Sequence, residues 1–184
     1  MSGVSFEQIE CFDEVVRQLD EVVPVYQEVY AEPPYHEGPQ DAVDFLGRAR
    51  RQATQDGFRL VMARAGGGEV AGFAYGFWLA ADTRWWSAVR EPLGEAFVKE
   101  TGRRTFNLAE LAVRREWRRQ GIAAELHRRL ISGLEAERIV LTVRPEAEAA
   151  PAQTAYGAWG YQNVGRARDR DASPGYDVMV LPLR

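Results

Sequence analysis

One stretch, residues 106–137, constrains the fold more than any other. Phe106 to Val113 reads as an apolar strand. A basic turn from Arg114 to Gly121 follows, and Ile122, Leu126, Leu130, Ile131 and Leu134 then recur at helical spacing. A strand feeding a glycine-bearing turn and then a helix aims the unpaired amides of the helix start at one point in space. Gly121 lets the backbone approach a ligand with no Cβ in the way, and Ala123 keeps the first turn shallow. The N–H groups of Arg119, Gln120, Gly121, Ile122, Ala123 and Ala124, with the helix dipole and Arg118, suit an anion with several oxygens, most simply a phosphate or pyrophosphate. On spacing alone, an exposed arginine cluster ahead of an ordinary core helix is an equal reading. The turn is not a nucleotide P-loop, because no Gly-x-x-x-x-Gly-Lys-Ser/Thr occurs, and it lacks the three-glycine dinucleotide fingerprint.

The formal charge of −4 argues against a nucleic-acid partner, which calls for a net basic surface. Four arginines nevertheless crowd together at 114, 115, 118 and 119, as suits a small anionic ligand. A chain of 184 residues is expected to form one domain, residues 1–184, with a sizeable core. Cys11 is the single cysteine, so no intrachain disulfide is available and a reducing cytoplasmic compartment fits. The first residues lack the basic and apolar regions of a signal peptide, and no apolar run approaches the ~20 residues that cross a bilayer. No metal set is expected, since His36, His127 and Cys11 are far apart in sequence. Two like copies make the commonest soluble oligomer, so a homodimer is the association to expect if there is one.

Hydrophobic periodicity orders the elements. A short strand spans 4–9, and a helix spans 12–30 with Phe12, Val15, Val16, Leu19, Val22, Val23 and Tyr26 inward. Pro24 should kink or divide that helix. A Pro-Pro loop leads to a second helix, capped by Asp41 and ended near Gly57, with Val43, Leu46 and Ala49 inward. Strands at 58–65 and 70–78 form a hairpin. On the second, Phe73, Tyr75 and Phe77 share one face, and Gly72, Ala74 and Gly76 leave room for close packing on the other. An irregular segment at 80–104 holds Trp85, Trp86 and a short helix. After the central strand and helix come a strand at 138–143, a loop at 145–151, a helix at 152–159 and closing strands at 161–166 and 176–183. A turn at Ser173-Pro174-Gly175 joins the last two strands. The pattern is a mixed α/β (α+β) domain.

Arg118-x-x-Gly121-x-Ala123, preceded by Glu110-Leu111-x-Val113, resembles the acetyl-CoA signature of the GNAT superfamily of N-acetyltransferases, Gln/Arg-x-x-Gly-x-Gly/Ala. Ala152 through Tyr156 and Gly160 to Tyr161 is similar to that family's Ala-x-x-x-Tyr-x-x-x-Gly-Phe segment. The two blocks stand in order with a strand between them, and the element order matches the family from end to end. Ala149 departs from it, since many relatives carry asparagine there. The resemblance implies a mostly antiparallel sheet flanked by helices, with splayed central strands. It implies acetyl-CoA as co-substrate, with the backbone of Leu111, Ala112 and Val113 pairing with the pantetheine arm. The N–H of Val113 would meet the acetyl carbonyl, as an oxyanion donor must.

The same resemblance implies direct transfer to a primary amine of a small molecule or peptide. Tyr156 is the acid candidate, because a phenol with pKa ~10 stays protonated and can donate to a departing thiolate. The ordinary reading of Tyr156 is a surface or core tyrosine. Glu110 is the base candidate, directly or through a water that Asn107 could position. The ordinary reading of Glu110 is a structural carboxylate paired with an arginine. For the acceptor, the family points to 33–38 and 80–104, where Glu32, His36, Glu37 and Asp82 read first as solvated loop groups. Trp85 and Trp86 read first as packing, and His127 as an exposed helix residue. Two alternatives stand beside the enzyme: a non-catalytic acyl-CoA sensor, and an acyltransferase using a longer acyl-CoA.

Overall fold

The computed structural model describes residues 3–168 and 175–183. The elements run β1 (Ser5–Ile9), α1 (Phe12–Tyr30), α2 (Pro39–Gln52), β2 (Arg59–Arg64), β3 (Val70–Trp78), α3 (Glu95–Val98), β4 (Thr105–Val113), α4 (Ile122–Ile131), β5 (Arg138–Val143), α5 (Ala150–Ala158), β6 (Gln162–Ala167) and β7 (Tyr176–Pro182). The strand order is β1-β2-β3-β4-β5-β7-β6. The β1–β2, β2–β3, β5–β7 and β6–β7 pairs are antiparallel, whereas β4 and β5 run parallel. The mixed, mostly antiparallel sheet expected from the sequence is therefore present. Parallel pairing of β4 with β5 covers Thr105–Asn107, and β4 continues beyond it to Val113. The chain divides into two compact units, Met1–Phe77 with Leu108–Leu134 and Trp78–Asn107 with Glu135–Arg184.

In the first unit, α1 and α2 bury Val15, Leu19, Val22, Val25, Tyr26, Ala42, Phe45 and Ala49 in a core with Phe73, Tyr75 and Phe77. The helix 12–30 is not divided at Pro24. Pro24 and Asp20 lie on the solvent face, where water can serve the carbonyl the proline leaves open. Phe12 is exposed, because it lies one turn before the buried stripe begins at Val15. The second helix starts earlier than expected, at Pro39, and stops at Gln52 instead of near Gly57. Proline is tolerated in a first turn, where its missing N–H has no partner to lose. Asp41 acts from inside that turn, accepting the Gly38 amide at 2.8 Å. The inward phase is Ala42, Phe45 and Ala49, and Val43 points to solvent. Gly72 gives β3 its expected close face. A Cβ there would lie 2.7 Å from the Ala112 carbonyl and 3.2 Å from Val113 Cα.

Helix α4 packs on β1 and β2 through Ile122, Leu126 and Leu130. It ends at Ile131, short of Leu134, and Arg59 caps it by donating to the carbonyls of Leu130 and Ser132. His127 is buried, not exposed as the charged neighbours suggested. Burial pushes its imidazole down to about 4. The unfolded chain takes up that proton near pH 6.5, so stability drains away as pH falls from there toward 4. Between pH 7 and pH 5 this costs about 2 kcal/mol. Urea unfolding at the two pH values should show that loss in the native protein and much less of it in His127→Leu.

The second unit has its own apolar cluster of Leu79, Trp86, Val140, Ala167, Val178 and Val180. The segment 80–104 is pinned to β6: Arg90 N donates to Arg166 O and Arg168 N to Ala88 O, each at 3.0 Å, and Arg166 N donates to Glu91 Oε2 at 2.6 Å. Trp85 and Trp86 pack edge to face at 4.8 Å. Helix α5 begins at Ala150, so Pro151 sits within its first turn instead of in the preceding loop. Ser173 and Pro174 of the expected turn lie outside the described residues.

Candidate active site

The turn after β4 is built as its sequence requires. Gly121 caps α4 in the left-handed region (φ +79°), and Arg119 is left-handed as well (φ 62°). A left-handed arginine costs about 1–2 kcal/mol, so the turn is held against a local preference. The Glu125 amide reaches Gly121 O at 3.0 Å. Those of Ile122, Ala123 and Ala124 precede it and have no carbonyl within the helix. Ile122 is buried, and its side chain anchors the helix start to the core. Gln120 and Arg119 are exposed, and Gln120 Nε2 donates to Glu116 O at 3.1 Å.

The arginines divide their work. Arg118 turns back on the strand, donating from Nε to Val113 O at 2.9 Å and from Nη1 to Glu32 at 2.8 Å. Arg114 pairs with Glu28 and Glu69. Both lock the turn to its own unit, and the exposed Arg115 and Arg119 remain on the outside of the turn. Glu125, in the first turn of α4, would oppose an anion, but it accepts from Arg128 and Arg129 at 2.6 Å. These donors, Arg128 first, hold its carboxyl down to about 2.

At the other end of this stretch, the Glu110 side chain is 11% exposed. Its Oε2 accepts from the Tyr30 hydroxyl at 2.7 Å and its Oε1 from Arg48 at 2.9 Å. Burial raises its carboxyl above the ordinary range, while Arg48 and Tyr30 pull the other way. Burial and the Glu110 charge push the Tyr30 phenol well up, so it stays a donor. Leu111 is half-buried, and Ala112 and Val113 are buried against Gly72. Glu32 is paired with Arg118 and Glu37 accepts from Tyr26 at 2.6 Å, so neither is a free loop charge. His36 is exposed and left-handed (φ 52°). Tyr30 and Arg48 were not foreseen, because nothing local in the sequence ties positions 30 and 48 to 110.

In the second unit, Tyr156 sits on α5, 8% exposed, edge-on to Trp159 at 5.5 Å and to Tyr161 at 5.6 Å. Gly160 (φ +97°) ends the helix, and a Cβ there would press on Leu181 at 3.3 Å. Gln153 ties α5 back to the end of β5, donating to Arg144 O at 2.7 Å. Asn107 and Asp82 lie in this unit, buried and exposed respectively. Among the described residues no group of His, Cys, Asp and Glu could hold a metal ion, and no helix is long and apolar enough to cross a membrane.

Residues 80–177, just over half of the 184-residue chain, match the acetyltransferase (GNAT) domain family. The chain belongs to the GNAT family of acetyltransferases. Both sequence blocks read above lie inside the matched region. Among curated proteins none matches the sequence. Solved structures match in fold. PH1933 from Pyrococcus horikoshii OT3 has a TM-score of 0.68 at 16% identity over 99% of each chain. The yncA protein of Salmonella typhimurium, solved with its cofactor acetyl-CoA, has a TM-score of 0.65 at 13% identity over 100% of this chain and 95% of that one. A GNAT phosphinothricin acetyltransferase from Sinorhizobium meliloti, solved with acetyl-CoA, has a TM-score of 0.65 at 17% identity, over 100% and 89% of the two chains. At these identities the likeness is one of fold. This GNAT chain is an acetyltransferase.

Proposed function

We propose that this enzyme, as one domain over residues 1–184, moves the acetyl group of acetyl-CoA directly onto a primary amine of a small molecule or peptide. The observation that carries this reading is the left-handed turn at Arg119 and Gly121. In a GNAT chain it sets the amides from Arg119 to Ala124 as a cradle for the pyrophosphate. Acetyl-CoA in two structural relatives supports the donor. The backbone of Leu111 to Val113 would receive the pantetheine arm, and the Val113 N–H would stabilise the charge that grows on the acetyl oxygen. The amine attacks the thioester carbon, a C–N bond forms, and the C–S bond breaks. Glu110 takes the amine proton, and Tyr156 protonates the leaving thiolate. The exposed Cys11 thiol fits a reducing cytoplasm.

Incubation with acetyl-CoA and a broad amine panel, followed by thiol release, should give turnover on at least one amine, and calorimetry should show CoA binding. Absence of CoA binding would sink the reading. Tyr156→Phe should lower kcat by about 100-fold, the ordinary worth of a placed general acid, and leave the Kd for CoA within about twofold. An unchanged kcat would remove Tyr156 from the chemistry.

A further inference from the structure

We infer that Tyr30 and Arg48 are positioning residues for acetyl transfer: they hold the Glu110 carboxylate from two sides and so set how it takes a proton from the acceptor. This deepens the reading of Glu110 as the base and rests on it. The three groups come from three separate elements of one unit. Tyr30 is the last residue of α1, Arg48 lies in α2, and Glu110 is on β4, 80 and 62 positions from its two donors. Each carboxylate oxygen has one donor, which leaves lone pairs on both for a substrate proton.

The two holders are themselves held. The Tyr30 ring packs on Tyr26 at 4.3 Å and edge-on to Tyr35 at 4.7 Å. The Arg48 guanidinium lies 5.8 Å from the centre of the Phe45 ring, and the Tyr26 and Tyr75 hydroxyls donate to Glu37 at 2.6 Å and to Gln52 at 2.8 Å. The ionisable groups facing Glu110 are thus Tyr26 and Tyr30 of α1, Glu37 of the following loop, Arg48 of α2 and Tyr75 of β3. Arg48 is the one cation among them. A carboxylate sealed from water with no partner would keep its proton and be useless as a base. Burial raises the Glu110 carboxyl, and Arg48 and Tyr30 oppose that rise by favouring the charged form. Arg48 stays 42% exposed, at the rim of the network, which an ion pair serving only to close the core would not need.

The test is the pH profile of kcat/KM with an amine that the native enzyme acetylates. Glu110→Gln should abolish the acid limb. Arg48→Gln should move that limb up by roughly 1–3 pH units, because an anion stripped of its cation holds its proton to higher pH. Tyr30→Phe should move it the same way by less, and Arg48→Lys should bring it back toward the native position. A structural role would change the amount of folded enzyme and leave the limb in place. If Glu110→Gln keeps the native limb, Glu110 is not the base and the inference falls with that reading. If Glu110→Gln removes the limb but neither Tyr30→Phe nor Arg48→Gln shifts it, the inference alone falls. Carboxyl carbon NMR titration of Glu110 in the CoA-bound protein makes the same comparison without an acceptor. An unmoved midpoint in both variants overturns the inference, and Tyr30→Phe carries the test if Arg48→Gln does not fold.

Discussion

Gly121→Glu should leave the protein folded and weaken CoA binding by at least about 100-fold, which corresponds to roughly 3 kcal/mol. The fold survives because a Cβ at this position meets no protein atom within 4 Å. The left-handed backbone (φ +79°) charges any side chain about 1–2 kcal/mol, a strain the cap of one helix can absorb. The ligand fares worse. The open space at Gly121 is where the proposed pyrophosphate approaches the amides of Ile122 to Ala124, and a carboxylate there adds bulk and like charge together. Gly121→Ala separates the causes, since it brings the strain and a methyl group without the charge. Calorimetry with CoA and a thermal melt of each variant make the measurement. CoA affinity within about threefold of native in Gly121→Glu would remove this turn from the cofactor site.

Arg138→Leu should cost about 3–5 kcal/mol of stability, or about 10 °C in Tm. Arg138 donates from Nε to Thr105 Oγ1 at 2.8 Å, and from Nη2 to Phe97 O at 2.6 Å and Glu100 Oε1 at 2.9 Å. Its guanidinium also lies 4.7 Å and 4.4 Å from the ring centres of Trp86 and Phe97. Glu100, whose side chain is 0% exposed, gathers Trp86 Nε1 at 2.8 Å and Thr105 Oγ1 at 2.7 Å on the same oxygen. Removing the arginine leaves a sealed carboxylate without its cation, and that uncompensated charge is the source of the cost. Adding Glu100→Leu should recover part of the loss, because the buried charge goes too. The comparison is a double-mutant cycle by urea unfolding. Strict additivity would mean that the pair does not act as one network.

Much of the fold could be read from local pattern. Helix 12–30, strand 105–113 and strand 138–143 fall where the local pattern put them: the helix carries one apolar stripe, and the two strands are short, mostly apolar runs buried along most of their length. The misreadings share a cause. The inward reading of Val43 follows from apolar periodicity and the exposed reading of His127 from its charged neighbours, but whether a helix residue is buried depends on which elements that helix meets. The paired tryptophans read correctly as packing, while Glu100 and Arg138 gave no local signal. A buried ion pair across 38 positions exists only once α3's exit and β5 come together.

The opening strand, turn and helix follow the same division. The sequence by itself determined a glycine at the turn, the run of unpaired amides at the helix start and, through two short motifs in order, membership of an acetyltransferase family, since each of these is carried by residues within one local segment. The tertiary structure decided what surrounds them. It turned Arg118 inward onto Val113 and Glu32, and it brought Tyr30 and Arg48 to the two oxygens of Glu110. The physical reason is that backbone conformation follows from local sterics, whereas the partner of a charge depends on which distant elements share its packed core.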